Sequence, residues 1–278
     1  GTAPGQVIAH PSGTLVLLPG PPREMRPMLT EVLDGVGTRP AARIIRTVGL
    51  PESDVQLRAG AIVGPADGVG FTVLARPGLV DVVLRDTGAG PAALDLIERE
   101  TALALGDACY ATGEESLAAA VLALALDRGM HIVTAESCTG GLVASSLTDV
   151  PGSSEVFRGG VVAYSDQIKV TALGVDPALL AAHGAVSAST AAAMAQGARL
   201  HLGADIAVAT TGIAGPGGGS ASKPVGTVWF AIAAETGTST AHQVFRGDRE
   251  MVRSRATVAA LDMLRRTLTS LLPDDRRR

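Results

Sequence analysis

Thr134-Ala135-Glu136-Ser137-Cys138-Thr139-Gly140-Gly141 joins an apolar strand candidate at 131–135 to a helix expected from about residue 139. Ser137 therefore falls on a strand-to-helix turn. Such a turn leaves backbone N–H groups free at the positive end of a helix, where an anion or a developing oxyanion is stabilised. Open α/β sheets place their ligands at this edge. The plainer alternative is an N-capping hydroxyl followed by glycines for tight packing. The segment is not Gly-x-Ser-x-Gly, so the usual α/β-hydrolase triad is not indicated.

Working outward, residues 114–273 alternate helices and strands. Helices are expected at 116–128, 166–173, 177–183, 189–202 and 249–272, with strands at 131–135, 161–164, 206–210, 226–234 and 242–245. That alternation predicts an α/β fold: a three-layer α/β/α domain whose sheet is covered on both faces. Upstream, 40–106 reads as strand, helix, strand, strand, helix, a small α+β module whose second helix opens at Pro91. Residues 107–113 read as a linker. Residues 1–39 hold a strand at 14–18, the turn Pro19-Gly20-Pro21-Pro22 and a helix at 23–33, too little to bury a core alone. With Gly1 rather than Met at the start, they read as the truncated remnant of a further α/β domain.

Composition narrows the function. Hydrophobic residues make up 46% of the 278 but aromatics only 3%, so the core is built from small aliphatic side chains and suits close helix-on-sheet packing. The net charge of −4 provides no global basic field, and nucleic acid is not an expected partner. The basic end, Arg276-Arg277-Arg278, reads as a solvated tail. Two cysteines and five scattered histidines lack metal-ligand spacing, and no metal or cofactor is expected. No apolar stretch is long enough to span a bilayer and no signal peptide is visible, so the cytoplasm is the expected location.

Three further segments carry chemistry. Tyr164-Ser165-Asp166-Gln167-Ile168-Lys169 places a lysine on the first turns of a helix that follows a strand. Most helix lysines are merely solvated, but this chain has two lysines in all, Lys169 and Lys223, and its arginines cannot accept protons. Thr210-Thr211-Gly212-Ile213-Ala214-Gly215-Pro216-Gly217-Gly218-Gly219 is a glycine-rich loop after a strand, through which backbone approaches a ligand closely. In Phe245-Arg246-Gly247-Asp248-Arg249, Asp248 reads as a helix cap and Arg249 as a bidentate grip on phosphate or carboxylate.

Taken together these segments resemble the C-terminal domain of the CinA (competence/damage-inducible) family, the nicotinamide-mononucleotide amidohydrolases. T-A-E-S-C-T-G-G, Y-S-x-x-x-K, H-G-A-V-S, T-G-I-A-G-P, K-P-V-G-T-V-W and G-D-R occur in the family's order between about Glu114 and Leu272. The resemblance implies hydrolysis of the carboxamide of nicotinamide mononucleotide to nicotinic acid mononucleotide and ammonia, in pyridine nucleotide salvage. It makes Ser137 the nucleophile and Lys169 its base, and matches Tyr164, Thr211 and Arg249 to further active-site positions. Gly140 and Gly212 are expected to line the substrate site, and a homo-oligomer is expected. Residues 18–25 resemble the end of the family's molybdopterin-binding-like domain, which is associated there with an ADP-ribose pyrophosphatase. That domain's Gly-Gly-x-Gly-Pro-Thr-x-Asp-Asp motif does not occur in this sequence, and no pyrophosphatase activity is expected of it.

Ser137 is expected to attack the amide carbon while neutral Lys169 takes its proton, with the N–H groups after Ser137 as the oxyanion hole and Arg249 on the 5′-phosphate. Cys138 is a rival nucleophile by proximity, read here as a packing thiol. The alternative from another class is a non-catalytic module that binds or senses a pyridine nucleotide.

Overall fold

The computed structural model describes residues 3–34 and 41–271, in two units, Gly1–Ala41 and Ala42–Arg278. The boundary expected at 39/40 and the tail Arg276-Arg277-Arg278 lie outside the described residues. The first unit pairs β1 (Gln6–His10) with β2 (Gly13–Leu17) in an antiparallel hairpin, followed by helix α1 (Pro22–Asp34). The sequence reading anticipates β2 and α1 but not β1. No residue of α1 is buried and both strands are almost wholly exposed, as a segment too small for its own core must be.

The second unit begins with a four-stranded antiparallel sheet in the order β4-β5-β3-β6. Its elements are β3 (Ala42–Val48), α2 (Glu52–Val63), β4 (Val69–Arg76), β5 (Leu79–Asp86), α3 (Pro91–Leu105) and β6 (Cys109–Thr112). Ile45, Val82 and Leu84 are fully buried, as are Val55 and Ala59 on α2 and Leu94 on α3. Strand β6 corrects the expected linker at 107–113: it pairs with β3 from Thr47 to Ile45, across a bulge. Four residues between Gly106 and Gly113 are too short for a periodic signal, and only the non-local partner reveals the strand.

The remainder is the expected three-layer α/β/α arrangement. In chain order it comprises α4 (Leu117–Asp127), β7 (Ile132–Glu136), α5 (Leu142–Thr148), β8 (Phe157–Val162), α6 (Asp166–Leu173), α7 (Pro177–His183), α8 (Ala188–His201), β9 (Ile206–Gly212), β10 (Thr227–Ala234), β11 (Gly237–Val244) and α9 (Arg249–Ser270). The strand order is β11-β10-β9-β7-β8, with β7 parallel to both β8 and β9 and the last two strands antiparallel. Alternation along the strands sends Ile132, Ile206, Val208, Phe230 and Ile232 to one face, against α4 and α9. The other face is nearly all alanine (Ala135, Ala207, Ala209, Ala231, Ala233) and receives Ala191, Met194, Ala195 and Ala198 of α8. Small residues on both sides bring α8 close. Gly197 of α8 sits against the Leu173 carbonyl with no room for a Cβ.

Two strands and one helix depart from expectation. β8 starts four residues before the expected 161, because Gly159 and Gly160 mask the strand pattern; a Cβ at Gly160 would overlap the Thr134 hydroxyl. β11 starts at Gly237 rather than 242, and as a fully exposed edge strand it has no apolar alternation to read. α5 starts at Leu142 rather than near 139, since Gly140 and Gly141 adopt φ of +62° and +94° and form the turn. No helix among the described residues is long and apolar enough to cross a membrane.

Candidate active site

Interior strand β7 ends at Glu136, and its parallel neighbours β8 and β9 end beside it. At this edge Ser137, Cys138, Tyr164, Asp166, Lys169, Thr211, Gly212 and Arg249 line one cavity of about 250 Å³. A second cavity, about 280 Å³, lies between the two sheets against α9. Its arginines bond within the protein, Arg255 to the Arg246 carbonyl and Arg266 to Asp262, and it holds neither the serine nor the lysine of the first.

Ser137 is 9% exposed, and its N–H donates to Thr210 O at 2.9 Å, fastening the turn to β9. Lys169 is 1% exposed, although it belongs to a short surface helix. Ser165 caps α6 by accepting from Ile168 N, which puts Lys169 at the end of the first turn, where it lines the cavity. Its Nζ lies 3.4 Å from Asp166 Oδ1, the long end of hydrogen-bond range. Lysine is almost never fully buried unless paired, so this one is set apart from an ordinary solvated helix lysine. Among the described residues Ser137 and Lys169 share the cavity without a direct hydrogen bond between them, as is common in sites without substrate.

The rim is a polar chain. Arg249 Nη2 donates to Tyr164 Oη at 2.6 Å and Nη1 to Gly215 O at 2.9 Å, tying α9 to the end of β8 and to the glycine-rich loop. Tyr164 is 59% exposed, so this pair stands at the mouth. Thr211 is buried and donates to Ala185 O at 2.7 Å, anchoring the wall formed by Ala185 and Val186. Gly212 runs against β10, where a Cβ would come within 2.7 Å of Thr227 O. Asp248 caps α9 by accepting from Met251 N at 2.8 Å, and so sets the starting point of Arg249.

Cys138 is 5% exposed, and burial pushes its thiol up to about 12, with backbone N–H groups of Cys138 and Thr139 acting weakly the other way. A thiol this far from ionisation is a poor nucleophile.

Residues 114–268 match the CinA C-terminal domain family. A putative competence-damage inducible protein of Acetivibrio thermocellus is 39% identical over 98% of this chain and 68% of its own length. A CinA-like protein of Mycobacterium tuberculosis is 42% identical over 98% of this chain and 65% of its own. The chain belongs to the CinA family. Among solved structures, the competence/damage inducible protein CihA of Agrobacterium tumefaciens is 43% identical with a TM-score of 0.52, covering 55% of this chain and 94% of that one. The competence damage-inducible protein A of Klebsiella pneumoniae is 40% identical with a TM-score of 0.55, covering 56% and 97%.

In this CinA-family site Ser137, Lys169, Tyr164, Thr211, Gly212 and Arg249 come together, and Gly140 does not. Gly140 is an exposed turn residue whose absent side chain makes room for Arg253, 3.1 Å from where a Cβ would be. The expected free N–H groups at the start of α5 are also taken. Glu136, 1% exposed, accepts from Gly141 N at 2.9 Å, Val143 N at 3.1 Å and Ala144 N at 2.8 Å. A resident carboxylate already occupies the anion position of that helix. Glu136, Asp166 and Arg253 were not singled out from the sequence. The one available signal was an acidic residue ending the apolar run 132–136.

Proposed function

We propose that this CinA-family chain is a nicotinamide-mononucleotide amidohydrolase using Ser137 as nucleophile and Lys169 as base. The observation that carries it is a serine at a strand's C-terminal end and a buried lysine lining one cavity, with an arginine–tyrosine pair at its mouth. At about 250 Å³ the cavity is near the small end of ligand pockets, so the nicotinamide ring and its amide enter while the 5′-phosphate stays at the rim. There Arg249, held at two points, offers its remaining N–H groups to the phosphate.

The steps balance with these residues and one water. Ser137 Oγ bonds to the carboxamide carbon as its proton passes to neutral Lys169 Nζ. That proton goes to the amide nitrogen, the C–N bond breaks and ammonia leaves an acyl-serine ester. Water then attacks the ester carbon, giving a proton to Lys169, which returns it to Ser137 Oγ as nicotinic acid mononucleotide departs. In this reading the Cys138 N–H, on the peptide following Ser137, stabilises the oxyanion. Neither a metal nor a cofactor enters these steps.

The test is ammonia release from nicotinamide mononucleotide by wild type, Ser137→Ala and Lys169→Ala. Wild-type turnover with both variants down by at least about 10³-fold is expected. A wild type that binds the nucleotide without releasing ammonia makes this a binding module instead.

A further inference from the structure

Two side chains outside the cavity hold the backbone that follows Ser137, one through N–H groups and one through carbonyls. Glu136 takes N–H groups, as described. Arg253, half-buried on α9 one turn after Arg249, takes carbonyls: Nε donates to Cys138 O at 3.2 Å and Nη2 to Thr139 O at 2.8 Å. A peptide is planar and trans, so fixing a carbonyl fixes the following N–H in the opposite direction. Holding Thr139 O therefore aims Gly140 N–H, which donates to Ser137 O at 3.1 Å. Holding Ser137 O in turn fixes the direction of Cys138 N–H, on the peptide that borders the cavity. One guanidinium thus sets three consecutive peptide planes after Ser137. Its two-pronged fork suits this task and an ammonium does not.

We propose that Arg253 is a positioning residue for Ser137, orienting the hydroxyl and the adjoining N–H for attack without touching substrate. It rests on the proposed function only in taking Ser137 as the nucleophile. The test is the rate at which a small fluorophosphonate labels Ser137, located by mass spectrometry, in wild type, Arg253→Gln and Arg253→Lys. Labelling forms an Oγ–P bond, expels fluoride and gives up the serine proton, and it requires no nucleotide recognition. In folded Arg253→Gln we expect labelling about 100-fold slower, the cost of misplacing a reacting group by about 1 Å. Arg253→Lys should fall between the two. With nicotinamide mononucleotide, kcat should drop in parallel while KM stays within about threefold.

Labelling at the wild-type rate in both folded variants overturns the proposal. So does failure of both to fold, which would make Arg253 a residue of stability alone, and so does a wild type not labelled at Ser137. If wild type is labelled but releases no ammonia, the amidohydrolase reading falls while the labelling rates still decide the role of Arg253.

Discussion

At the scale of single residues, the site depends on where burial and hydrogen bonding leave each functional group. Lys169 is drawn inward by its position on α6, while Cys138, next to Ser137 in the chain, turns into the packing. Replacing Cys138 by Ala should leave ammonia release within about twofold of wild type, because a thiol held near 12 gives almost no thiolate at neutral pH. The same shift has a stability signature. The folded value lies above the ordinary thiol value of 9.0, so the contribution is complete below about pH 9 and is lost as pH rises towards 12. In urea denaturation the stability of wild type should therefore fall relative to Cys138→Ala across that window, and parallel curves would refute the assignment. At the rim, Tyr164→Phe removes the acceptor that holds Arg249 Nη2. A roughly tenfold rise in KM with little change in kcat is expected from steady-state kinetics, since ground-state binding and not chemistry is affected.

At the scale of elements, most helix starts were readable because their caps are local. Ser116, Ser165, Asp176, Ser187 and Asp248 each accept from a backbone N–H two or three residues ahead. Helix α5 is the exception. Its N-cap position is Gly141, which has no side chain to offer, and a carboxylate from the preceding strand does the capping. Glu136→Ala would strand three N–H groups at about 1–3 kcal/mol each if none found water, so a loss of roughly 3 kcal/mol or more is expected from denaturant unfolding. Glu136→Gln, which keeps one carbonyl acceptor, should lose less. A loss below about 1 kcal/mol in Glu136→Ala would show that the cap carries little of the turn's stability.

At the scale of the whole molecule, helix α9 links the two sheets of the second unit. Arg265 donates to the Asp107 carbonyl at 2.7 Å, and Asp262 accepts from both Arg265 and Arg266. Val258 packs where a Cβ on Gly78 would stand, and Val48 of β3 belongs to the core formed by α4, α9 and the five-stranded sheet. Residues 42–271 are therefore expected to unfold as one cooperative step, with coincident near-UV and far-UV transitions. Asp262→Ala, which leaves the nine-tenths-buried Arg265 without its carboxylate, should split that transition or lower its midpoint. Two separated transitions in the wild type would mean that the sheets are coupled only loosely.

The alternation of helices and strands, the α/β class, the family and most of the residues that line the cavity were legible in the amino-acid order. Those features are local: apolar periodicity, a capping serine or aspartate, a glycine-rich loop after a strand. Tertiary structure alone decided which strands pair, and with that the edge strand β6 and the first half of edge strand β11, which carry no apolar pattern of their own. It also decided that the N–H groups ahead of α5 belong to Glu136, that Gly140 serves Arg253 and not the cavity, and that Lys169 is buried. Each of these depends on a partner more than a helical turn away in the chain or on an environment assembled from several elements. A hydrogen bond from residue 253 to residue 138 leaves no periodicity in either segment, so only the folded chain discloses it.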